Sequence, residues 1–335
     1  MSDGLGRILV AGGAGYVGSH CCKALAEAGF LPVVFDNLTT GHRDLVLWGP
    51  LIEADIRDAE ALDAALAAHR PVAVMHFAAL AVVAESVAEP ARCWDINVAG
   101  TLNVLASMQR AGLDKLVFSS TCAIYGDAGE APIAEDAPAR PVNPYGASKH
   151  AAEAMMGDFD HAHGLKSVRL RYFNASGADP AAEIGEHHAP ETHLIPIVLD
   201  AASGRRDKVA VYGSDYPTPD GTAIRDYVHV ADLAAAHLKA LRYLLAGGAS
   251  VAVNLGAGRG ASVAEVLAAA ERATGRKIAR TAAHRRQGDP PRLVADPRLA
   301  ERVLGWTAAR SDLDTVIADA WRWHRRRFGT ERDMG

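Results

Sequence analysis

Residues 7–20 read RILVAGGAGYVGSH, and whether this is a strand running into a helix or an ordinary loop decides the fold. Ile8–Val10 is a short apolar run, and Gly12, Gly15 and Gly18 follow it around a helix opening near Tyr16. In such a unit each glycine has a separate duty. Gly12 permits the tight turn, Gly15 lets backbone approach a pyrophosphate, and Gly18 lets the helix pack close to the sheet. The helix N-terminus then offers N–H groups and partial positive charge to the phosphates. A strand, three glycines and a helix also describe an ordinary turn, so the acid downstream matters. The second apolar strand, PVVFD, ends in Asp36, 18 residues beyond Gly18. A carboxylate there accepts both ribose hydroxyls and repels a 2′-phosphate, which selects NAD over NADP. Asp55, after the next strand in EADIRD, stands where it can hydrogen-bond an adenine amino group.

Working outward, the first 175 residues alternate two periodicities. The runs RILVAGG, PVVFD, VAVMHFAA, KLVFSS and SVRLRYF are nearly continuous apolar segments, as expected of strands covered on both faces. Helical stretches over 19–29, 59–69, 91–112 and 145–164 separate them. This alternation predicts an α/β fold, a Rossmann-type doubly wound parallel sheet with right-handed crossovers. Beyond about residue 175 the pattern loosens into loop-rich stretches with shorter elements at 193–203, VAVYG, VAVNLG, 262–274 and 313–327. The expected division is an NAD-binding domain over 1–175 and a smaller α+β C-terminal substrate domain over 176–335, with some chain crossing back to the first.

Composition narrows the function classes. The chain has 335 residues, with 35 basic residues against 40 acidic and a formal net charge of −5. Without a basic stripe, nucleic acid is not an expected partner. The longest apolar stretch, 72–84, is interrupted by His76 and falls short of the roughly 18 residues a membrane span needs. The first residues show no signal-peptide pattern. The four cysteines, Cys21, Cys22, Cys93 and Cys122, do not make a disulfide framework and point to reduced thiols in the cytoplasm.

PYGASKHAAE, 144–153, sets Tyr145 and Lys149 four apart at a helix start, one turn on the same face. Tyrosine loses its proton near pH 10. An adjacent ammonium and a positive nicotinamide ring would favour phenolate and make Tyr145 a base near neutrality. SSTCAIYG, 119–126, ends a strand 24 residues before Tyr145, and ligands of doubly wound sheets collect beyond the C-terminal strand ends. This Ser/Thr and Tyr-x-x-x-Lys arrangement resembles the short-chain dehydrogenase/reductase superfamily. GGAGYVGSH, HFAA, NVAGTLNVL, SSTCAIYG, NPYGASK, RYFNASGA, GSDYPTPDGTAIRDYVHVADLA, NLGAG and RRQGD narrow the resemblance to its extended branch, and there to the UDP-glucose 4-epimerase family. GSDYPTPDGTAIRDYVHV is the most specific of these segments.

The resemblance implies that Tyr145 is the base at the sugar 4-hydroxyl. Lys149 lowers the pKa of Tyr145 and holds the nicotinamide ribose, and Thr121 hydrogen-bonds the reacting oxygen. It implies that Tyr16, Val17, Asn37, Ile56, Phe77, Ala78, Ala79, Asn97 and Phe173 join Gly12, Gly15, Gly18, Asp36 and Asp55 around tightly bound NAD. The UDP half of a UDP-sugar would meet Asn174, His193, Leu194, Val209, Tyr212, Arg225, Arg286 and Asp289, and a homodimer is implied. For Arg225 and Arg286 the chemistry concurs, since a diphosphate rewards guanidinium contacts; without a diphosphate, Arg285–Arg286 would be a plain solvated basic pair.

Two positions depart from the family pattern. Ala81 stands where many family members have a lysine near the cofactor pyrophosphate, and Leu293 replaces a tyrosine that closes the sugar pocket in some of them. The second change opens room for UDP-N-acetylglucosamine or the pentoses UDP-xylose and UDP-arabinose beside UDP-glucose. A nucleotide-sugar 4,6-dehydratase is the nearest rival, but it carries an acid pair directly after the threonine, where this chain has Cys122 and Ala123. A simple ketoreductase and a dead NAD-binding regulator are more distant rivals; intact Thr121, Tyr145 and Lys149 weigh against the regulator. Asp226, His229 and Asp232 read as structural hydrogen-bonding groups, and Cys122 as a packed strand-end thiol. HAH at 161–163 and HH at 187–188 lack a third ligand at metal spacing and read as solvated histidines, so no metal is expected.

Overall fold

The computed structural model describes residues 5–286 and 289–329. The apolar runs become strands: β1 (Arg7–Ala11), β2 (Leu31–Asp36), β3 (Leu51–Glu53), β4 (Ala73–His76), β5 (Lys115–Thr121) and β6 (Lys166–Tyr172). With β11 (Val251–Leu255) they form one sheet of order β11-β6-β5-β4-β1-β2-β3, parallel at each pairing. Successive side chains point to opposite faces, and both faces are covered. Ile8, Val10, Met75 and Val117 belong to one buried cluster, and Leu9, Val33, Phe35, Val74, Leu116 and Phe118 to the other. The fold is the expected Rossmann-type doubly wound α/β sheet.

The connecting helices are α1 (Tyr16–Glu27), α2 (Ala59–His69), α3 (Val83–Ala88), α4 (Pro90–Trp94), α5 (Gly100–Arg110) and α6 (Pro144–His163). The predicted helix over 91–112 is broken into α4 and α5 by a π-helical turn, Asp95–Ala99. That wide turn carries Asn97 inward, the kind of local insertion that proteins use to aim a side chain.

The remaining elements are β7 (Asn174–Ser176), α7 (Leu194–Ser203), β8 (Val209–Tyr212), β9 (Ile224–Arg225), β10 (Tyr227–His229), α8 (Val230–Leu245), β12 (Ala261–Ser262), α9 (Val263–Thr274), β13 (Arg280–Ala283), β14 (Arg292–Leu293), α10 (Arg298–Leu304) and α11 (Leu313–Phe328). Helices α7, α9 and α11 share a separate core of Ile195, Val198, Val266, Leu267, Val316 and Ile317. Short sheets pair β7 with β10, β8 with β13, and β9 with β12 and β14. The chain returns to the first layer twice, where β11 extends the sheet beside β6 and where α8 packs on α1. No helix among the described residues is long and apolar enough to cross a membrane.

Candidate active site

The glycine loop shows what its three glycines do. At Gly12, φ is +82° and an added Cβ would stand 2.4 Å from the Ala78 nitrogen. At Gly18 it would stand 2.2 Å from the Gly12 carbonyl oxygen. Protein backbone excludes a side chain at both positions. At Gly15 a Cβ would meet only the Gly12 carbonyl oxygen, at 3.5 Å, so nothing in the fold itself demands glycine there. Helix α1 begins at Gly15 with no side-chain cap, which leaves its first-turn N–H groups for a ligand. An uncrowded glycine at an uncapped helix N-terminus fits a dinucleotide pyrophosphate.

Around this loop the expected cofactor residues fall into two sets. Asp36 ends β2, 8% exposed, and accepts the Ala14 and Leu38 N–H groups at 2.9 Å each; burial raises its pKa. Asn37 donates to Asp55 at 2.8 Å, and the Arg57 guanidinium holds the Asp55 carboxyl well below the usual range. The Phe77 and Ala78 N–H groups both reach the Ala11 carbonyl, which carries the Phe77–Ala79 backbone past the end of β1. Val17 is half-buried on α1, and Ala81, at the departure from the family pattern, is exposed.

The second set is occupied internally. Asn97 is 1% exposed; it takes the Leu80 N–H at 2.8 Å and donates to Ser148 at 2.9 Å. The Tyr16 hydroxyl donates to the Gly177 carbonyl at 2.6 Å. Ile56 and Phe173 are buried.

Thr121 and Tyr145 meet where β5 gives way to a 3-10 turn, Cys122–Tyr125. Thr121 is that turn's N-cap and accepts the Ala123 N–H at 3.1 Å. Helix α6 starts with Asn143 as N-cap and Pro144 in its first turn, so Tyr145 lies in the first turn of the helix, half-buried. An added Cβ at Gly146 would stand 2.5 Å from the Ala123 carbonyl oxygen; glycine here lets α6 touch the turn after Thr121. Ser86, which spacing did not single out, receives the Tyr145 N–H at 3.2 Å. Its signal was the ESV segment at 85–87, whose serine only the fold relates to α6.

Lys149 behaves otherwise than its spacing suggested. Its ammonium donates to the Ser119 carbonyl at 3.0 Å and stands over the Phe118 ring. Burial lowers its pKa to about 7. Tyr145 is pushed up by burial, with the nearby Tyr172 adding to the rise and a hydrogen bond with Thr121 partly offsetting it. The expectation that Lys149 lowers the Tyr145 pKa is not met by the polypeptide alone; burial keeps Tyr145 a phenol. One turn further along α6, buried Glu153 accepts from Ser120 at 2.5 Å and from Arg171 at 2.6 Å. Arg171 also donates to Tyr125 at 2.9 Å, so this network ties α6 to β5 and β6. Sequence reasoning missed it because Glu153 and Arg171 lie on different elements.

Across from this corner, the expected substrate residues pair with one another. Arg225 is ion-paired with Asp289. The Arg286 guanidinium stacks over the Tyr212 ring, 4.1 Å from its centroid, so Arg286 is not merely solvated. Leu293 lies opposite Arg225 in the β14–β9 register. Leu194 opens α7 behind His193, and Asn174 lies opposite Tyr227 on β7. Val209 is fully buried at the start of β8. Asp226 accepts three backbone N–H groups, from Ala257, Gly258 and Ala295. His229 caps α8, and Asp232 holds Ser311 at 2.7 Å. The Cys122 thiol is pushed up to about 12 by burial, which leaves it unreactive.

His161 and His163 are exposed, as expected. His188 is not: its Nδ1 is buried, and Glu186, Glu191 and His193 gather around it. The reading of 187–188 as a solvated pair without a third ligand is corrected here, because the loop folds back and brings those groups together. Burial opposes charging of His188 and His193, but Glu186 and Glu191 outweigh it, raising them to about 9 and about 10.

Residues 8–256 match the family model described as the NAD dependent epimerase/dehydratase family. A UDP-glucose 4-epimerase of Rhizobium leguminosarum bv. trifolii is 52% identical over 317 residues, covering 95% of this chain and 97% of that protein. The crystal structure of UDP-glucose 4-epimerase from Brucella ovis in complex with NAD is 50% identical, with a TM-score of 0.93 over 97% of this chain and 99% of that one. The epimerase structure from Stenotrophomonas maltophila, with bound NAD and formylated UDP-arabinopyranose, is 40% identical, with a TM-score of 0.93 over 96% of this chain and 98% of that one.

Proposed function

The chain belongs to the NAD dependent epimerase/dehydratase family, and we propose from that premise that it interconverts UDP-glucose and UDP-galactose by inverting carbon 4. The observation that carries the reading is one chain that holds Thr121 beside Tyr145, pairs Arg225 with Asp289 and Arg286 with Tyr212, and is 52% identical to a UDP-glucose 4-epimerase. Bound NAD supplies a reversible hydride acceptor, and Gly12, Gly15, Gly18 and Asp36 are the residues that would hold it. Tyr145 removes the proton from the sugar 4-oxygen and returns it; no net oxidation results because the hydride taken from carbon 4 goes back to carbon 4, on its other face. Thr121, next to the Tyr145 hydroxyl, holds that oxygen, and Lys149 would steady the phenolate that a positive nicotinamide ring would favour. Arg225 and Arg286 take the diphosphate, with Asn174, His193, Leu194, Val209, Tyr212 and Asp289 completing the UDP half.

Cys122 and Ala123 offer no acid for elimination of water, so the dehydratase reading is set aside. A second reading, broader sugar choice, is favoured by Leu293, a small apolar side chain beside Arg225. We propose further that the protein works as a cytoplasmic homodimer. Four cysteines free of disulfides support the compartment, and the exposed apolar side chains Val83, Val87, Trp94 and Leu102 on α3 to α5 support association.

The test is to incubate purified protein with UDP-glucose, UDP-N-acetylglucosamine and UDP-xylose in turn, without added NAD, and to resolve the 4-epimers. UDP-galactose formation is expected; if no sugar is epimerised, the reading fails. Turnover of UDP-glucose alone would remove only the broader sugar choice.

A further inference from the structure

The loop between β7 and α7 spells EHHAPETH at 186–193, and it brings four metal-ligating side chains to one point. One ligand atom from each of Glu186, His188, Glu191 and His193 lies within 4.8 Å of the others. His193 Nδ1 is 3.0 Å from Glu186 Oε1 and 3.1 Å from Glu191 Oε1. His188 Nδ1 is 3.4 Å from Glu186 Oε1 and 3.5 Å from Glu191 Oε2. Tetrahedral zinc with nitrogen and oxygen ligands at about 2.0–2.2 Å sets its ligands roughly 3.3–3.6 Å apart along each edge. The histidine–carboxylate edges here run from just below that range to within it. His188 Nδ1 makes no hydrogen bond although buried, an orphan aimed at two carboxylates.

The surroundings are built rather than incidental. Glu191 is oriented by the N–H groups of Thr192 and His193, each at 2.8 Å. The Trp323 indole anchors the Glu186 carbonyl at 3.0 Å, and a Cβ at Gly185 would stand 2.3 Å from that ring. The Tyr16 ring of the glycine loop meets His188 edge-on. A cavity of about 310 Å³ reaches Glu186, His188 and Glu191 from outside and offers an entry path.

We propose that Glu186, His188, Glu191 and His193 form a binding site for one divalent transition-metal ion of the zinc type. Two imidazoles and two carboxylates suit zinc or cobalt rather than magnesium or calcium, and the two carboxylates balance the ion's charge. The ion would be structural, fixing the 186–193 loop that leads into α7, and it takes no part in the chemistry at Tyr145.

The test titrates chelator-treated full-length protein with Zn²⁺ against a competing chromophoric chelator, then with Co²⁺ followed by visible absorption. One Zn²⁺ per chain is expected, with four-coordinate cobalt d–d bands and no thiolate charge-transfer band. Affinity should fall at least about 100-fold in both His188→Ala and Glu191→Gln, and stay unchanged in His161→Ala. Thermal melts of the metal-free variants distinguish a lost ligand from a lost fold. Absence of binding, equal binding by both variants, or a thiolate band would overturn the proposal. None of these readouts requires epimerase activity, so failure here leaves the reaction assignment standing, and the reverse.

Discussion

The corner made by β5 and α6 and the wall that faces it are held by different forces. At the corner the reacting groups are set by backbone approaches and neutral groups, with the Glu153–Arg171 pair behind them: Gly146 against the Ala123 carbonyl, Thr121 capping the turn, Tyr145 N–H on Ser86. Among the expected substrate residues, groups far apart in the chain do the work: Arg225 with Asp289 and Arg286 over Tyr212. A reacting oxygen and a proton shuttle need fixed geometry, which close-packed backbone supplies. A diphosphate needs opposite charge with some give, which long side chains supply. Substitutions at the corner should therefore alter kcat, and those on the wall KM.

The largest effect should come at the corner. Tyr145→Phe keeps the ring and removes only the proton carrier, so kcat should fall about 10²–10⁴-fold while the thermal melt stays put. Undiminished turnover would sink Tyr145 as the base. Next comes the glycine loop, where the contrast lies within a single motif. Gly18→Ala drives a methyl into the Gly12 carbonyl oxygen and should destabilise the fold by about 3 kcal/mol. Gly15→Ala meets no such obstacle; its melt should match the parent, but the NAD absorbance retained through purification should drop. Equal melts for the two variants would show that the backbone clash is relieved elsewhere.

On the wall, Arg225→Lys keeps the positive charge near Asp289 but loses the planar fork. KM for the UDP-sugar should rise about tenfold with kcat within about twofold. A fall in kcat without a change in KM would mean that Arg225 belongs with the corner.

The same division explains what could be read from the letters. Strand β1, the glycine loop, Asp36 and the Tyr145–Lys149 helix are local: their chemistry repeats at fixed spacing, and the fold follows from periods of two and 3.6. Helix α8, VADLAAAHLKALRYLL, was missed beyond its first residues although Ala235, Lys239, Arg242 and Leu245 form an exposed face at helical spacing; its long alanine-rich buried side, which includes His237, masked that stripe. Glu153 with Arg171, and Ser86 beneath Tyr145, could not be found by spacing, since different elements supply the partners. Arg225 and Asp289, 64 residues apart, were named only through resemblance. The Glu186–His193 cluster was local in sequence yet dismissed, because loop spacing carries no periodicity from which convergence can be read.

The smallest expected effect tests the corner's buried lysine. Lys149 is 3% exposed, and burial lowers its pKa to about 7, against about 10.4 for an unfolded lysine. Between those values the unfolded chain binds a proton that the folded chain does not, so folding stability from this group rises with pH there. At and below pH about 7 the folded protein holds a buried ammonium supported by little more than the Ser119 carbonyl and the Phe118 ring, and the desolvation penalty is felt in full. Lys149→Met removes that ammonium and keeps most of the volume. In protein freed of NAD, the variant should be more stable than the parent by about 1–2 kcal/mol at pH 6–7, with the gap closing toward pH 10, while epimerisation is lost. Urea midpoints of both proteins at three pH values measure the gap. A gap that stays constant with pH would mean that Lys149 is not charged at a penalty, and that the corner is held by geometry alone.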